Sequence, residues 1–198
     1  MSTITESILS AAQALPEGSM LSPKEFLHLG SRAAVDQALT RLNKEGKLLR
    51  IDRGAYVIPI ESRFGTHPPS TQAVIEAIET QQSEIVVTTG AAAANALGLT
   101  TQVPIREVFL TSGRSRKLRL GSRIIELKHS PRWQLALGKR PAGMAIRALS
   151  WLGPEQAHEA LQILHTKLPA DEWSAVYHSR AALPSWMAKA VSEVHLHG

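Results

Sequence analysis

Apolar residues in the first part of the chain recur at helical spacing and predict three short helices. The first begins near Ile4 and stops at the Pro-Glu-Gly sequence of residues 16–18. The second begins after Ser22, because Pro23 suits a first helical turn and Glu25 completes a capping box. The apolar stripe of the third comprises Val35, Ala38, Leu39 and Leu42.

The third predicted helix carries polar residues away from this stripe. Ser31 is placed to cap its start, and Gly46 ends it. The side chains outside the stripe are Arg32, Asp36, Gln37, Thr40 and Arg41. A helix of this pattern buries one side in a core and presents the other to solvent or to a partner.

Two β-prone runs, residues 48–51 and 55–58, follow the third helix. Residues 52–54 join them, and Gly54 can take the left-handed conformation that a short hairpin loop requires. Three helices and a hairpin in this order are typical of a winged helix-turn-helix. Its third helix enters the major groove of DNA, and its hairpin, the wing, touches the backbone or the minor groove. Arg50 and Arg53 are then wing contacts. The alternative is a solvated hairpin tip in a small helical domain.

A second domain is expected after residues 61–70, whose glycine and prolines are typical of a linker. Ser70 can cap a helix that reaches about Gln81. Further along, the pattern predicts strands at residues 85–88 and 108–111. Between them, an alanine-rich helix at residues 90–97 has the small side chains that suit packing against a sheet.

A basic hairpin is predicted around Gly121-Ser122, a two-residue loop of type II′ between strands at residues 117–120 and 123–129. Alternation places Leu118 and Leu120 inward and the cations between them outward. The candidate basic face comprises Arg114, Arg116, Lys117, Arg119, Arg123 and Lys128. The alternative is an edge strand whose cations block aggregation.

The rest of the chain reads as short helices, starting at Ser130-Pro131. Its aromatic residues recur with leucine and alanine, which favours a helical core over a platform for stacking bases. These residues are Trp133, Trp151, Trp173, Tyr177 and Trp186.

The amino-acid composition excludes several kinds of covalent bond and metal site. The chain has 198 residues, 43% of them apolar, a formal net charge of +5 and no cysteine, which excludes disulfides and thiolate metal sites. No run is apolar enough for a membrane span, and residues 1–10 lack the pattern of a signal peptide, so a cytoplasmic protein is expected. Positive charge is concentrated in residues 106–132, which hold eight basic residues against Glu107 and Glu126.

Signatures of catalysis are missing from the sequence. The eight histidines are scattered and no HExxH, Walker A or nucleophile-elbow motif occurs. Leu-Gly-Ser-Arg occurs at residues 29–32 and 120–123, and a Gly-Ser pair opens the active site of nucleotidyltransferases, but the D-x-D pair that holds their metal ions is missing. We therefore expect no enzyme, no metal site and no cofactor. An enzyme with a histidine-bound metal is the alternative, and it requires a metal that co-purifies stoichiometrically.

Three stretches of the chain resemble AbiEi-type antitoxins. The run SMLSPKEFLHLGSRAAVDQALTRLNKEGKLLRIDRGAYVIP is similar to their N-terminal domain, and AAAANALGLTTQVPIREVFLTSGRSRKLRLGSRIIELKHSPRW to their second domain. ALPSWMAKAV, near the C-terminus, is similar as well. The likeness covers most of the chain, but none of these stretches is a catalytic signature.

The resemblance implies a bacterial two-domain antitoxin. Its winged helix would repress its own operon by binding double-stranded operator DNA, with an inverted repeat as the expected site. Its second domain would counter a co-encoded nucleotidyltransferase-like toxin without requiring a stable complex. By position, Ser31 to Arg41 would hold the recognition helix, Arg50 to Gly54 the wing, and Arg114 to Lys128 the second domain's sheet. A regulator without a toxin partner is the alternative within this family.

Together these patterns predict an α+β protein. A winged helix-turn-helix at residues 1–62 would precede a mixed α/β domain at residues 63–198, which has a small antiparallel sheet and a helical C-terminal part. The expected DNA-binding residues are Ser31, Arg32, Gln37, Thr40, Arg41, Arg50, Arg53 and Gly54. The alternative function is an RNA-binding or acidic-protein-binding module that uses residues 106–132. The operator, the oligomeric state and the mode of toxin neutralisation stay open.

Overall fold

The computed structural model describes residues 3–197 as an α+β protein of helices and small antiparallel sheets. Two 3-10 turns, Pro23–Phe26 and Ser179–Ala182, accompany the regular elements. In chain order these elements are α1 Ile4–Gln13, β1 Met20–Leu21, α2 Arg32–Lys44, β2 Leu49–Asp52, β3 Ala55–Val57, β4 Ile60–Ser62, β5 Gly65–His67, α3 Thr71–Gln82, β6 Val86–Thr88, α4 Gly90–Ala96, β7 Glu107–Thr111, β8 Arg116–Leu120, β9 Arg123–His129, α5 Arg132–Leu135, α6 Pro141–Leu152, α7 Pro154–Lys167, α8 Ala170–His178 and α9 Ser185–His197.

The chain forms two compact units. The first comprises the described residues up to Glu84 together with residues 116–126, and the second comprises residues 85–115 and the described residues from Leu127 onward. The first unit is therefore larger than residues 1–62, the segment that the sequence predicted as a domain.

The core of the first unit lies between α1 and α2. Thr3 caps α1, since its hydroxyl accepts a hydrogen bond from the Glu6 N–H and its own N–H donates to the Glu6 carboxylate. The stripe predicted for the third helix is buried as expected on α2. It packs with residues of α1 and of the segments around it, among them Ile8, Ala12, Leu21, Phe26 and Leu48.

A three-stranded antiparallel sheet with the order β1-β3-β2 belongs to this core. Met20 pairs with Val57 on one side of β3, and Leu49 pairs with Val57 on the other. The predicted hairpin is thus confirmed. The short strand β1 was not predicted, because a two-residue strand carries no period of its own and is defined only by its pairing.

The second predicted helix is a single 3-10 turn, Pro23–Phe26, rather than an α-helix. Its predicted start is confirmed, since the Ser22 N–H and hydroxyl both donate to the Glu25 carboxylate, at 3.0 and 2.9 Å. A capping box fixes where a helical segment begins but not how far it continues. The segment is short because little beyond Phe26 is buried before Ser31 caps the next helix.

The stretch predicted as a linker, residues 61–70, instead contributes to a hairpin. Strands β4 and β5 pair antiparallel, with Ser62 opposite Gly65. The helix predicted to follow is confirmed as α3, and the Ser70 hydroxyl caps it by accepting from the Ala73 N–H. The Gln81 side chain of α3 bonds both backbone groups of Met20, which ties this helix to β1.

Strands β8 and β9 are neighbours joined at Gly121-Ser122. Gly121 has φ +62°, whereas Ser122 is not among the described residues with positive φ, as the predicted type II′ loop requires. Leu118 and Leu120 are buried, and Lys117 and Arg119 are exposed, so the predicted alternation is confirmed.

In the second unit, β6 pairs antiparallel with β7, and Val87 lies opposite Leu110. Helix α4 packs mainly against α6, whereas the sequence analysis favoured packing against a sheet. The small alanine side chains of α4 allow α4 and α6 to approach each other closely. A Cβ at Gly90 would lie 2.4 Å from the Arg147 carbonyl oxygen, so only glycine fits there.

Helices α6 to α9 supply the main core of the second unit. Trp173 is buried in it, and Trp133, Tyr177 and Trp186 pack against it half-buried, which confirms the core interpretation for these rings. Trp151 differs, since it is 42% exposed.

The helix expected at Ser130-Pro131 begins one residue later than predicted, with Pro131 at the N-cap.

Candidate nucleic-acid interface

Helix α2 presents a polar surface on the side opposite its buried stripe. Arg32, Gln37, Thr40 and Arg41 are all exposed along it. At its start the Ser31 hydroxyl accepts from the Ala34 N–H at 3.2 Å, which satisfies one of the free amides of the first turn. Ser31 therefore acts first as a cap, and the side chains beyond it are those available to a partner.

Both arginines of α2 are paired with carboxylates of the same helix. Arg32 Nε lies 3.0 and 2.9 Å from the two Asp36 oxygens, and Arg41 Nε lies 2.8 Å from Glu45 Oε1. The hydrogen bond from Glu45 and its charge raise the pKa of Arg41 above its ordinary value. Exposed ion pairs between residues four apart on a helix contribute little free energy. An anion that binds the guanidinium more strongly can therefore replace the carboxylate.

The hairpin β2–β3 carries two further exposed cations. Arg50 and Arg53 are exposed, and Gly54 adopts φ +69° at the turn. The Asp52 carboxylate accepts from the Arg53 N–H at 2.7 Å. Asp52 therefore shapes the turn from which the Arg53 side chain projects.

Asn43, which sequence reasoning missed, connects this hairpin to the helix. Its side-chain oxygen accepts a hydrogen bond from the Arg50 N–H at 2.9 Å. Because Asn43 lies on α2 and Arg50 on β2, the bond fixes the hairpin against the helix that precedes it. The signal in the sequence was only an asparagine near a predicted helix C-terminus, which is too common to single out.

Strand β8 lies beside β2 within the first unit. Its exposed cations, Lys117 and Arg119, therefore belong to the same unit as Arg50 and Arg53. Residues 1–84 carry eight basic against ten acidic side chains, and residues 116–126 add four basic side chains against Glu126 alone. The β8–β9 segment thus makes the net charge of this unit positive.

The predicted basic face is not one surface. The Arg116 side chain is only 9% exposed and pairs with Glu84 at 3.0 Å. It lies on the inward-facing side of β8, because it is two residues from Leu118 and four from Leu120, which are both buried. Arg123 donates to the Pro69 carbonyl oxygen at 2.9 Å and to the Thr71 hydroxyl at 3.2 Å. Both arginines therefore hold segments of the first unit together.

The two remaining members of that predicted face, Arg114 and Lys128, are exposed and belong to the second unit.

Within residues 3–197 no three histidine, aspartate or glutamate side chains cluster in a way that could hold a metal ion. None of the helices in the same range combines the length and the apolar content that crossing a bilayer requires.

These features describe an α+β protein whose first unit exposes a polar helix surface and a cationic hairpin. The chain belongs to DUF6088, a family of unknown function, whose model matches residues 6–168. No curated protein matches the sequence.

Proposed function

We propose that this protein is a DNA-binding antitoxin that represses its own operon. The observation that carries the DNA-binding part is the bond between Asn43 and the Arg50 N–H, because it sets a cationic hairpin at the end of an exposed polar helix. In the proposed mode, α2 enters the major groove and the β2–β3 hairpin is the wing, as in a winged helix-turn-helix.

The order of elements in the first unit supports this proposal. A helix, a short strand, a helical turn, a second helix and a hairpin follow one another, and the short strand joins the hairpin in one sheet. Arg32, Gln37 and Arg41 would reach base edges, while Arg50 and Arg53 would bind phosphates. Lys117 and Arg119 on β8 would extend the phosphate contacts, since β8 lies beside β2.

The ion pairs on α2 suggest how binding starts. In the free protein Asp36 and Glu45 hold the two arginines extended along the helix. On DNA the guanidinium groups would exchange these carboxylates for acceptors on guanine or for phosphate oxygens. Asp36 would then oppose non-specific binding, because it keeps a negative charge on the proposed DNA-facing side.

The antitoxin part of the proposal rests on the resemblance to AbiEi-type antitoxins. In that model the protein is cytoplasmic and not an enzyme, and it counteracts a co-encoded nucleotidyltransferase-like toxin without a lasting complex. Expression of the adjacent gene with and without this protein tests that role. Growth arrest that this protein relieves would support it, and arrest that continues unchanged would contradict it.

The test of DNA binding is fluorescence anisotropy on labelled duplex from upstream of the protein's own gene. Scrambled duplex and RNA of equal length serve as competitors, at two salt concentrations. We expect tight, salt-dependent binding with a preference for the upstream duplex. Equal and weak binding to all three would contradict the proposal, and a preference for RNA would favour the RNA-binding alternative.

The wing is tested by Arg50→Ala combined with Arg53→Ala. If each arginine binds one phosphate, affinity falls on every duplex and the salt slope drops by about two units. The matched control is Lys167→Ala with Lys189→Ala, which removes two exposed cations from the second unit. If the double arginine variant binds like this control, the wing assignment is wrong.

A further inference from the structure

The hairpin β4–β5 ends in an exposed aromatic ring. Phe64 is 85% exposed at the turn of this hairpin. Single apolar residues at a surface are ordinary, so exposure alone implies nothing. What distinguishes Phe64 is that hydrogen bonds fix the backbone of the turn that carries it, and that a guanidinium lies over its ring.

The tip is fixed by Ser62. Its hydroxyl accepts from the Phe64 N–H at 3.2 Å and donates to the Gly65 carbonyl oxygen at 3.0 Å. Gly65 has φ +103°, a conformation that suits glycine, so the turn can close tightly there. The Arg63 guanidinium lies 4.6 Å from the centroid of the Phe64 ring. The tip thus presents a planar cation together with an aromatic ring.

The root of the hairpin is held against the β8–β9 turn. A Cβ at Gly121 would lie 3.0 Å from Pro68 Cγ, so the two segments are in contact. Arg123, the first residue of β9, donates to the Pro69 carbonyl oxygen and to the Thr71 hydroxyl. The hairpin is therefore attached to the segment whose outer surface carries Lys117 and Arg119.

We propose that the β4–β5 hairpin is a second DNA-contacting element, in which Phe64 inserts against a base step and Arg63 binds an adjacent phosphate. This inference rests on the DNA-binding function proposed above. Apolar wedges of this kind unstack a base step and kink the duplex, and an aromatic ring also stacks on the exposed base.

Nucleic acid explains this tip better than a protein partner does. The guanidinium can bind a phosphate while the ring stacks on the neighbouring base. Every nucleic-acid strand offers this combination, because a phosphate adjoins each of its bases. The Glu61 carboxylate and His67 are the other titratable side chains of the hairpin, and the His67 Nδ1 is engaged with the Pro68 carbonyl oxygen. The hairpin follows β3 after two residues, so it continues directly from the proposed wing.

The test uses the full chain and the upstream duplex with a donor and an acceptor dye at its ends. Phe64→Ala should weaken binding roughly 5- to 150-fold, the loss expected for one stacked base, and should reduce the bend seen by energy transfer. The salt slope should not change, because Phe64 carries no charge. Arg63→Ala should instead lower the slope by about one unit.

Two further variants make the test specific. Phe64→Tyr keeps the ring and should bind and bend like the wild type. Ile105→Ala removes a side chain of the second unit that is 99% exposed, and it should have no effect.

Each outcome has a distinct meaning. A Phe64→Ala protein that binds and bends like the Ile105→Ala protein overturns this inference and leaves the proposed function standing. A wild-type protein that shows no preference for the upstream duplex overturns the proposed function and this inference with it.

Discussion

Arg147 is a buried cation of the second unit. It is 1% exposed, and its Nη1 donates to the carbonyl oxygens of Gln134 and Gly138, at 3.1 and 2.9 Å. Its Nε and Nη2 have no hydrogen-bond partner among the described residues. Burial lowers the pKa of Arg147 to about 10. Because the unfolded chain holds this proton more tightly than the native state does, the charge costs stability at neutral pH. That cost is relieved as the pH rises above about 10.

Arg147→Ala should nevertheless destabilise the protein. The change leaves two carbonyl oxygens without their donor and opens a cavity, so we expect a loss of about 2–4 kcal/mol in the free energy of unfolding. Urea denaturation followed by circular dichroism measures it. Arg132→Ala, which removes an exposed arginine from the same unit, should stay within about 0.5 kcal/mol of the wild type. Equal midpoints for the two variants would show that Arg147 is not a structural residue.

Asp36 offers a test in which binding improves. Asp36→Ala removes a negative charge from the proposed DNA-facing side of α2 and releases the Arg32 guanidinium. We expect tighter binding to any duplex at low salt, by up to about 1 kcal/mol, and a salt slope steeper by about one unit. Anisotropy titrations measure both. Glu159→Ala, an exposed carboxylate of α7, is the control and should change neither. Weaker binding by the Asp36 variant would mean that the carboxylate itself contacts a base.

The two arginines of β8 illustrate how a strand separates structural from functional side chains. Arg116 points inward to Glu84, and Arg119, three residues later, points outward. Arg116→Ala should destabilise the protein by about 2–4 kcal/mol, because it removes the guanidinium that pairs with the largely buried Glu84 carboxylate. Arg119→Ala should leave stability unchanged and lower the salt slope of DNA binding by about one unit. If thermal denaturation and anisotropy do not separate the two variants in this way, the assignment of the faces is wrong.

Asn43 gives the corresponding test for the connection between α2 and β2. Asn43→Ala leaves the Arg50 N–H without its acceptor and should lower the free energy of unfolding by about 1 kcal/mol. Asn43→Asp keeps an acceptor at the same position and should recover most of that loss. Thermal denaturation compares them, and equal losses in both variants would show that the bond contributes little.

Local patterns predicted most of the helices and strands, because caps and alternation are properties of adjacent residues. Ser31 and Ser70 cap as expected, and Leu118 and Leu120 are buried as alternation requires. The same alternation, extended by two residues, would have placed Arg116 inside. The sequence could not show that the alanines of α4 face α6, since any close-packed surface suits alanine. Nor could it show the Asn43 bond, which joins residues seven apart through a tertiary contact.

At the scale of the whole chain, the first unit is discontinuous. It takes in residues 116–126 as well as the described residues up to Glu84. A chain cut after residue 62 would lose α3, whose Gln81 bonds the backbone of Met20. It would also lose β8, which lies beside β2. Residues 1–62 alone should therefore be markedly less stable than the complete unit and bind DNA more weakly.

The complete unit can be tested in one chain. The Glu84–Arg116 ion pair at 3.0 Å shows that the two segments meet where the chain leaves and re-enters the unit. A short Gly-Ser linker can therefore replace residues 85–115, and the chain can end at His129 so that β9 stays whole. We expect this protein to unfold cooperatively and to retain a preference for the upstream duplex, because it keeps α2, β2–β3, Lys117 and Arg119.

The comparison is between this linked protein, residues 1–62 and the full chain, by thermal denaturation and anisotropy. A linked protein that binds the upstream duplex much better than residues 1–62 would place the DNA-binding function in the discontinuous unit. If residues 1–62 bind as well as the linked protein does, then α3 and β8 are dispensable for recognition. The cations of β8 would then have no role on DNA, and the RNA-binding or acidic-protein-binding alternative would become the one to test for them.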